Sequence, residues 1–170
     1  MKRRMFLTGA AAASLAGTGC RREQSSWRTL SEAEARTLQA LCGQIIPTDD
    51  LPGADQAGAV NFIDIQLTRR FRGHRTKYRE GLAKADSIAD TRYHQALNQL
   101  SAEQQLICAM ELERTAPDFF ALLVGHTMQA YYGSPRHGGN RDAVSWRMLG
   151  LSPVQVRGRN QYVFNQGGKA

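Results

Sequence analysis

PDFFALLVGHTMQAYY, residues 117–132, is the most apolar of the helix-forming runs in this chain, and its pattern sets the fold class. Pro117 stands in the first helical turn, where a missing N–H costs nothing. Phe119, Phe120, Leu123, Val124, Thr127, Met128 and Tyr131 then cover more than one helical stripe. A helix apolar over so much of its circumference needs neighbours on several sides, so the spacing predicts a long central helix in a bundle. Nothing elsewhere alternates with period two for long enough to demand a strand. The expected fold is all-α, a single compact domain of about five helices with an irregular C-terminal tail.

Earlier segments supply the neighbours. SEAEARTLQALCGQIIP, 31–47, opens with Ser31 and Glu34 in capping-box spacing, carries Leu38, Leu41, Cys42 and Ile45 at helical intervals, and stops at Pro47. TDDLPGADQAG, 48–58, is turn chemistry; Asp49, Asp50 and Asp55 lack the alternating oxygens and closing glutamate of a calcium loop. VNFIDIQLTRRFR, 60–72, puts Val60, Ile63, Leu67 and Phe71 on one face, and from Lys77 onward Tyr78, Leu82, Ala85 and Ile88 make a third stripe. Ser101 and Gln104 form another capping box, with Leu106, Ile107 and Met110 as the expected apolar face of a fourth helix. These assignments make residues 30–151 the helical domain. The polar, aperiodic residues 152–170 are a tail that is loose or docks along a surface.

Residues 1–20, MKRRMFLTGAAAASLAGTGC, differ from the rest: Lys2, Arg3 and Arg4, then a weakly apolar Ala- and Gly-rich stretch, then small residues before Cys20. That is the make-up of an export signal. Arg3 and Arg4 followed by Phe6 and Leu7 resemble a twin-arginine signal, which is read by a machine that moves folded proteins; an ordinary secretory signal with two arginines is the alternative. Cys20 stands where lipoprotein signals place an acylated cysteine, with Gly17 where leucine is usual. Two outcomes stay open, lipidation at Cys20 or cleavage near Thr18 or Gly19 to a soluble product. Residues 21–29 read as a polar linker, and the expected location is periplasmic and membrane-associated.

Removing residues 1–20 takes away three basic residues and no acid, leaving 19 basic against 15 acidic residues, about +4. Small basic clusters at 69–72 and 157–159 are too diffuse to recommend a nucleic-acid partner for an exported protein. With Cys20 assigned to the leader, Cys42 and Cys108 remain, both at apolar helix positions. They read as buried thiols in preference to a bridge.

No cofactor or metal site is legible. A c-type haem needs C-x-x-C-H, iron–sulfur clusters need about four thiolates, and neither pattern occurs. His74, His94, His126 and His137 lack zinc-helix spacing, and His126, inside an apolar helix, reads as a hydrogen-bonded core or interface residue. The remaining candidate is AYYGSPRHGGNRDAVSWRMLG, 130–150, rich in aromatic, glycine and polar residues. As an active site it would use His137 as base and Asp142 as its orienter, but no nucleophile has local support. As a backbone feature, Gly138-Gly139-Asn140 supplies a sharp reversal and Asp142 caps a short helix carrying Val144, Trp146 and Leu149. Structure or partner contact is the better reading.

These residues carry a family resemblance. LSEAEARTLQALCGQIIPTDDLPGADQAGAVNFID (30–64), the helix with Phe119 and Phe120, and above all Tyr132-Gly133-x-Pro135-Arg136, Gly138-Gly139-Asn140 and Trp146-x-x-Leu149-Gly150 are similar to the gluconate 2-dehydrogenase subunit 3 family. His137 departs from it, standing where an aromatic is common. The resemblance implies a non-catalytic small subunit that accompanies a FAD-binding dehydrogenase large subunit, with a c-type cytochrome subunit carrying haem c to pass electrons onward. FAD and haem are thus expected in partners and not in this chain, and membrane association comes through a partner or a lipid. The family name fixes no substrate, since members accompany several sugar-acid and polyol dehydrogenases. Candidate partner-contact residues are Tyr131, Tyr132, Arg136, His137, Gly138, Gly139, Asn140 and Trp146. The rival from another class is a free-standing periplasmic helical lipoprotein or binding module.

Overall fold

The computed structural model describes residues 26–151, so the expected leader with Arg3, Arg4, Phe6, Leu7 and Cys20, and the expected tail 152–170, lie outside the described residues. Six helices follow in order: α1 Glu32–Ile45, α2 Ala59–Leu67, α3 Arg75–Tyr93, α4 Ala102–Thr115, α5 Pro117–Tyr132 and α6 Val144–Met148. Short 3₁₀ turns stand at Arg72–His74, Leu97–Gln99, Pro135–His137 and Arg141–Ala143, and no strand occurs among the described residues.

The capping boxes start α1 and α4 as their spacing predicts. Ser31 Oγ accepts from the Glu34 N–H while Glu34 accepts from the Ser31 N–H, and Ser101 and Gln104 repeat the exchange. Each box satisfies two donors that a bare helix start would leave orphaned. α2 is shorter than its stripe: it ends at Leu67, and a turn carries Phe71 back to the interior beside Phe62, their rings edge-on at 6.1 Å.

α5 is the hub, touching α1, α2, α3, α4 and α6. Its buried side holds Phe119, Leu123, His126, Thr127, Ala130 and Tyr131. Where α3 crosses it, Gly81 makes the contact: a Cβ there would lie 2.3 Å from the Phe119 ring, so the ring rests directly on α3 backbone. Tyr78, three residues earlier and fully buried, meets the same ring edge-on at 5.6 Å.

One expectation fails on α4. Leu106, Ile107 and Met110 are 48, 43 and 62 % exposed, and the buried face is Cys108, Ala109 and Leu112. Both sets recur at helical spacing. The small Cys108 and Ala109 let α4 lie close on α1, α3 and α5, so close packing selects the smaller set.

Cys42 and Cys108, the cysteines among the described residues, are buried thiols. Cys42 shares a hydrogen bond with Thr127 Oγ1 at 3.4 Å, and burial pushes its pKa up to about 12. His126 stacks on Phe71 with centroids 3.7 Å apart and planes parallel within 3°. Its Nδ1 shares a hydrogen bond with the Tyr78 hydroxyl at 2.9 Å. Burial, with the neighbouring His74 adding to it, lowers its pKa to about 4, so it is neutral at ordinary pH and serves as a core residue.

The linker's last residues, 26–29, are docked. Asp64, on α2 and with no exposed surface, accepts from the N–H groups of Arg28 (2.8 Å), Thr29 (2.8 Å) and Leu30 (3.3 Å) and from the Thr29 hydroxyl (2.8 Å). Burial pushes the Asp64 carboxyl up, but these hydrogen bonds together outweigh it and hold it below the ordinary carboxylate range.

Candidate functional site

The segment after α5 would be irregular chain with nothing to hold it, were it not for what it does to the end of that helix. The last carbonyls of an α-helix have no partner within the helix. Here three consecutive ones are met by side chains from 140–146. Ser145 Oγ donates to Tyr131 O at 2.6 Å, Trp146 Nε1 donates to Tyr132 O at 2.8 Å, and Asn140 Nδ2 donates to Gly133 O at 2.8 Å. Asn140 also accepts, through Oδ1, from the Ser145 N–H at 3.0 Å. It is wholly buried, so each of these bonds is one whose loss would strand a polar group, at about 1–3 kcal/mol apiece.

The backbone must bend hard to bring these side chains home. Gly138 has φ +95°, and a Cβ there would meet Ile65 Cδ1 at 2.5 Å. Gly139 needs no positive φ, yet a Cβ on it would sit 2.4 Å from Ala130 O, because its backbone lies flat on α5. Asn140, Asp142 and Ala143 all take φ between 44° and 57°, a region that Asn and Asp tolerate and that costs an alanine. The sequence reading foresaw the reversal at 138–140 but gave the helix cap to Asp142. That assignment fails: α6 has Ala143 as its N-cap, without a side-chain cap. It is Asn140 that reaches the α6 N–H, because the left-handed turn aims its amide inward and leaves Asp142 exposed.

Further bonds fix the corner to the body. Asn61 Nδ2 donates to Gly138 O at 2.8 Å, the Arg141 N–H donates to Ala57 O at 2.9 Å, and the Tyr131 hydroxyl donates to Pro52 O at 2.9 Å. The corner is therefore seated on α2 and on the 48–58 loop.

The residues singled out from sequence divide into two groups. Tyr131, Gly139 and Asn140 are buried, and Gly138 is half-buried under Asn61; these build the corner. Tyr132 is 38 % exposed, Arg136 and His137 are exposed, and Trp146 is half-buried with its indole N–H engaged. These four form its outer surface, continued by Met148 and Leu149 at 39 and 55 %. His137 and Asp142 make no hydrogen bond to each other and both face outward, so the base-and-orienter pair does not form. Sequence reading overlooked Asn61, Asp64 and Ser145. Only Asp64 carried a signal, an acid on the apolar stripe of Val60, Ile63 and Leu67.

Chemistry finds little purchase elsewhere. Among the described residues no three histidine, cysteine or acidic side chains are grouped to hold a metal, and no helix is long and apolar enough to cross a membrane. A polar groove of about 440 Å³ lies between α1 and α4, lined by Arg36, Gln39, Gln44, Asn98 and Gln105 among others. Against the α4 face that was expected inside, Arg92, Ile107, Met110, Glu111 and Arg114 line an apolar notch of about 330 Å³. Thr48 and Asp55 also line the groove, but the Thr48 hydroxyl is bonded to the Gly53 N–H and not to Asp55, and the notch holds no nucleophile.

No curated protein and no solved structure gives a significant match to the chain. The family described as Gluconate 2-dehydrogenase subunit 3 matches residues 32–153, which takes in all six helices and the whole of the corner. By that match the chain belongs to the gluconate 2-dehydrogenase subunit 3 family, a family of subunits whose members imply partner chains.

Proposed function

We propose that this chain is the non-catalytic small subunit of a periplasmic, FAD-dependent sugar-acid or polyol dehydrogenase, and that it holds the flavoprotein subunit through the α5–α6 corner. The observation that carries the reading is the capping of Tyr131 O, Tyr132 O and Gly133 O by Ser145, Trp146 and Asn140. It makes a stiff platform out of irregular chain, with Tyr132, Arg136, His137 and Trp146 on its outer side. Aromatic and arginine side chains on a preorganised surface are what interfaces use as anchors, because little freedom is left to lose on binding. Export fits the same role. A twin-arginine leader on the small subunit moves folded cargo, so it carries across a flavoprotein that closes around its FAD before crossing.

Co-expression of the two subunits tests both parts. Arg136→Ala and Trp146→Ala each weaken recovery of the flavoprotein with the small subunit, by ten- to a hundredfold in affinity if either is an anchor. Arg136 makes no bond within the fold, so its variant keeps the wild-type melting temperature. Normal assembly by both variants would reduce the corner to a fold element. Replacing Arg3 and Arg4 by lysine strands the flavoprotein in the cytoplasm; a flavoprotein still exported would remove the escort role.

A further inference from the structure

The turn from α2 into α3 gathers charge that the sequence showed only as a small cluster. Between Arg69 and Arg79 lie Arg69, Arg70, Arg72, Arg75, Lys77 and Arg79, all exposed, with no acid among them. Among the described residues none is in ion-pair distance of a carboxylate, whereas Arg28 and Arg92 elsewhere are both paired. Lys77 also stands in the first turn of α3, where the helix dipole disfavours a cation, and that turn carries neither an acid nor a side-chain cap; of the six, Arg75 alone is engaged by its side chain, its Nε donating to Leu67 O at the end of α2 at 2.7 Å. Folding therefore works against this concentration of like charge, and a partner of opposite sign is what would relieve it.

We infer that this basic corner docks the subunit on an anionic phospholipid surface. Its shape favours lipid over an acidic protein. Phe71 and Tyr78 are buried, and every exposed residue from Thr68 to Glu80 is polar, charged or glycine, so the patch offers charge without an apolar or aromatic anchor. A protein interface sets its arginines beside aromatic side chains, as at the α5–α6 corner, and this patch has none exposed, while a headgroup layer needs only charge. Position agrees. Asp64 clamps residues 28–30 onto α2, within about 10 Å of the Arg69 end at 1.5 Å per residue. Residues 28–30 thus lie near the basic corner. This rests on the exported, membrane-side reading above, but its vesicle measurement contains no flavoprotein and can fail independently of it.

The test uses the chain from Arg21 onward, which contains the whole described fold and excludes both the leader and any acyl chain. It is sedimented with vesicles of phosphatidylglycerol and phosphatidylethanolamine (about 3:7), and with pure phosphatidylcholine. Binding is expected to the first only, and to fall steeply as salt rises past physiological strength, where screening acts within about 8 Å. Each basic side chain near such a surface is worth roughly fivefold in partitioning. Arg70→Glu with Arg72→Glu should therefore lower binding by at least about twenty-five-fold. Arg36→Glu with Arg114→Glu makes the same change in net charge away from the corner and should leave most of the binding intact. Equal binding to both vesicle types, or equal losses in the two double variants, overturns the proposal. So does a patch variant that keeps vesicle binding but fails to assemble with the flavoprotein, which would reassign the charge to an acidic protein.

Discussion

Two buried polar side chains hold irregular chain against this bundle, and they do so differently. Asp64 is an acceptor only, and what it gathers is a run of donors: three successive N–H groups and a hydroxyl from residues 28–30. Asn140 has a donor and an acceptor, and it joins one carbonyl, Gly133 O, to one N–H, that of Ser145. Each residue type matches the groups it must satisfy. A carboxylate facing Gly133 O would repel it, and an amide facing three N–H groups would turn its own NH₂ on them. The difference extends to the response to acid. The clasp carries a charge whose loss weakens every bond it makes, while the corner has no ionisable atom at its centre.

The largest expected effect comes from breaking the charged site. Asp64→Ala strands donors around a position with no exposed surface and should cost about 3 kcal/mol in unfolding free energy. Because the Asp64 pKa is lowered in the folded state, its contribution is complete above the ordinary carboxylate range and is lost as pH falls through the lowered value. Denaturant titrations between pH 7 and pH 3 should therefore converge for wild type and variant toward the acid end. A gap that stays constant across the range would show that the side chain acts by packing and not by charge.

Next comes the neutral site. Asn140→Ala removes two buried bonds, for about 2–3 kcal/mol. Asn140→Asp sharpens the contrast: it keeps the acceptor for Ser145 and destroys the donor for Gly133, and it should introduce an acid-favoured stability that the wild-type corner lacks. Protection of the last amides of α5 from hydrogen exchange should drop in both variants, while amides of α1 stay as they were. Uniform loss throughout the domain would mean that the corner is not a separable unit.

Smallest is Trp146→Phe, which keeps most of the ring and loses only the bond to Tyr132 O. About 1 kcal/mol is expected, readable as a shift in the denaturant midpoint without a change in slope. A much larger shift would make the indole a packing element first and a cap second.

The fold was legible where the signal is local. Ser31–Glu34 and Ser101–Gln104 announce helix starts within four residues, and the α3 stripe of Tyr78, Leu82, Ala85 and Ile88 is buried as its spacing requires. It was illegible where two patterns compete, as on α4, where Leu106, Ile107 and Met110 carry more apolar surface than Cys108 and Ala109 while the latter pair permits the closer approach. The corner was half legible. Its glycines declare a bend, but that Asn140 would cap one helix and steady the next depends on a partner carbonyl brought near by the bend itself, and Asp64 finds its donors more than thirty residues upstream. Side chains that satisfy distant backbone leave no periodicity behind.

The Phe119 ring seated on Gly81 has a mechanical consequence. A ring pressed onto bare backbone acts as a detent: α5 cannot slide along α3 without lifting the ring over a neighbouring Cβ. Roughly 20 Å of helix separates that stop from the corner, at 1.5 Å per residue. A pull on the corner from outside is then resisted at the far end of α5, and the subunit transmits the load as a strut instead of yielding as a spring.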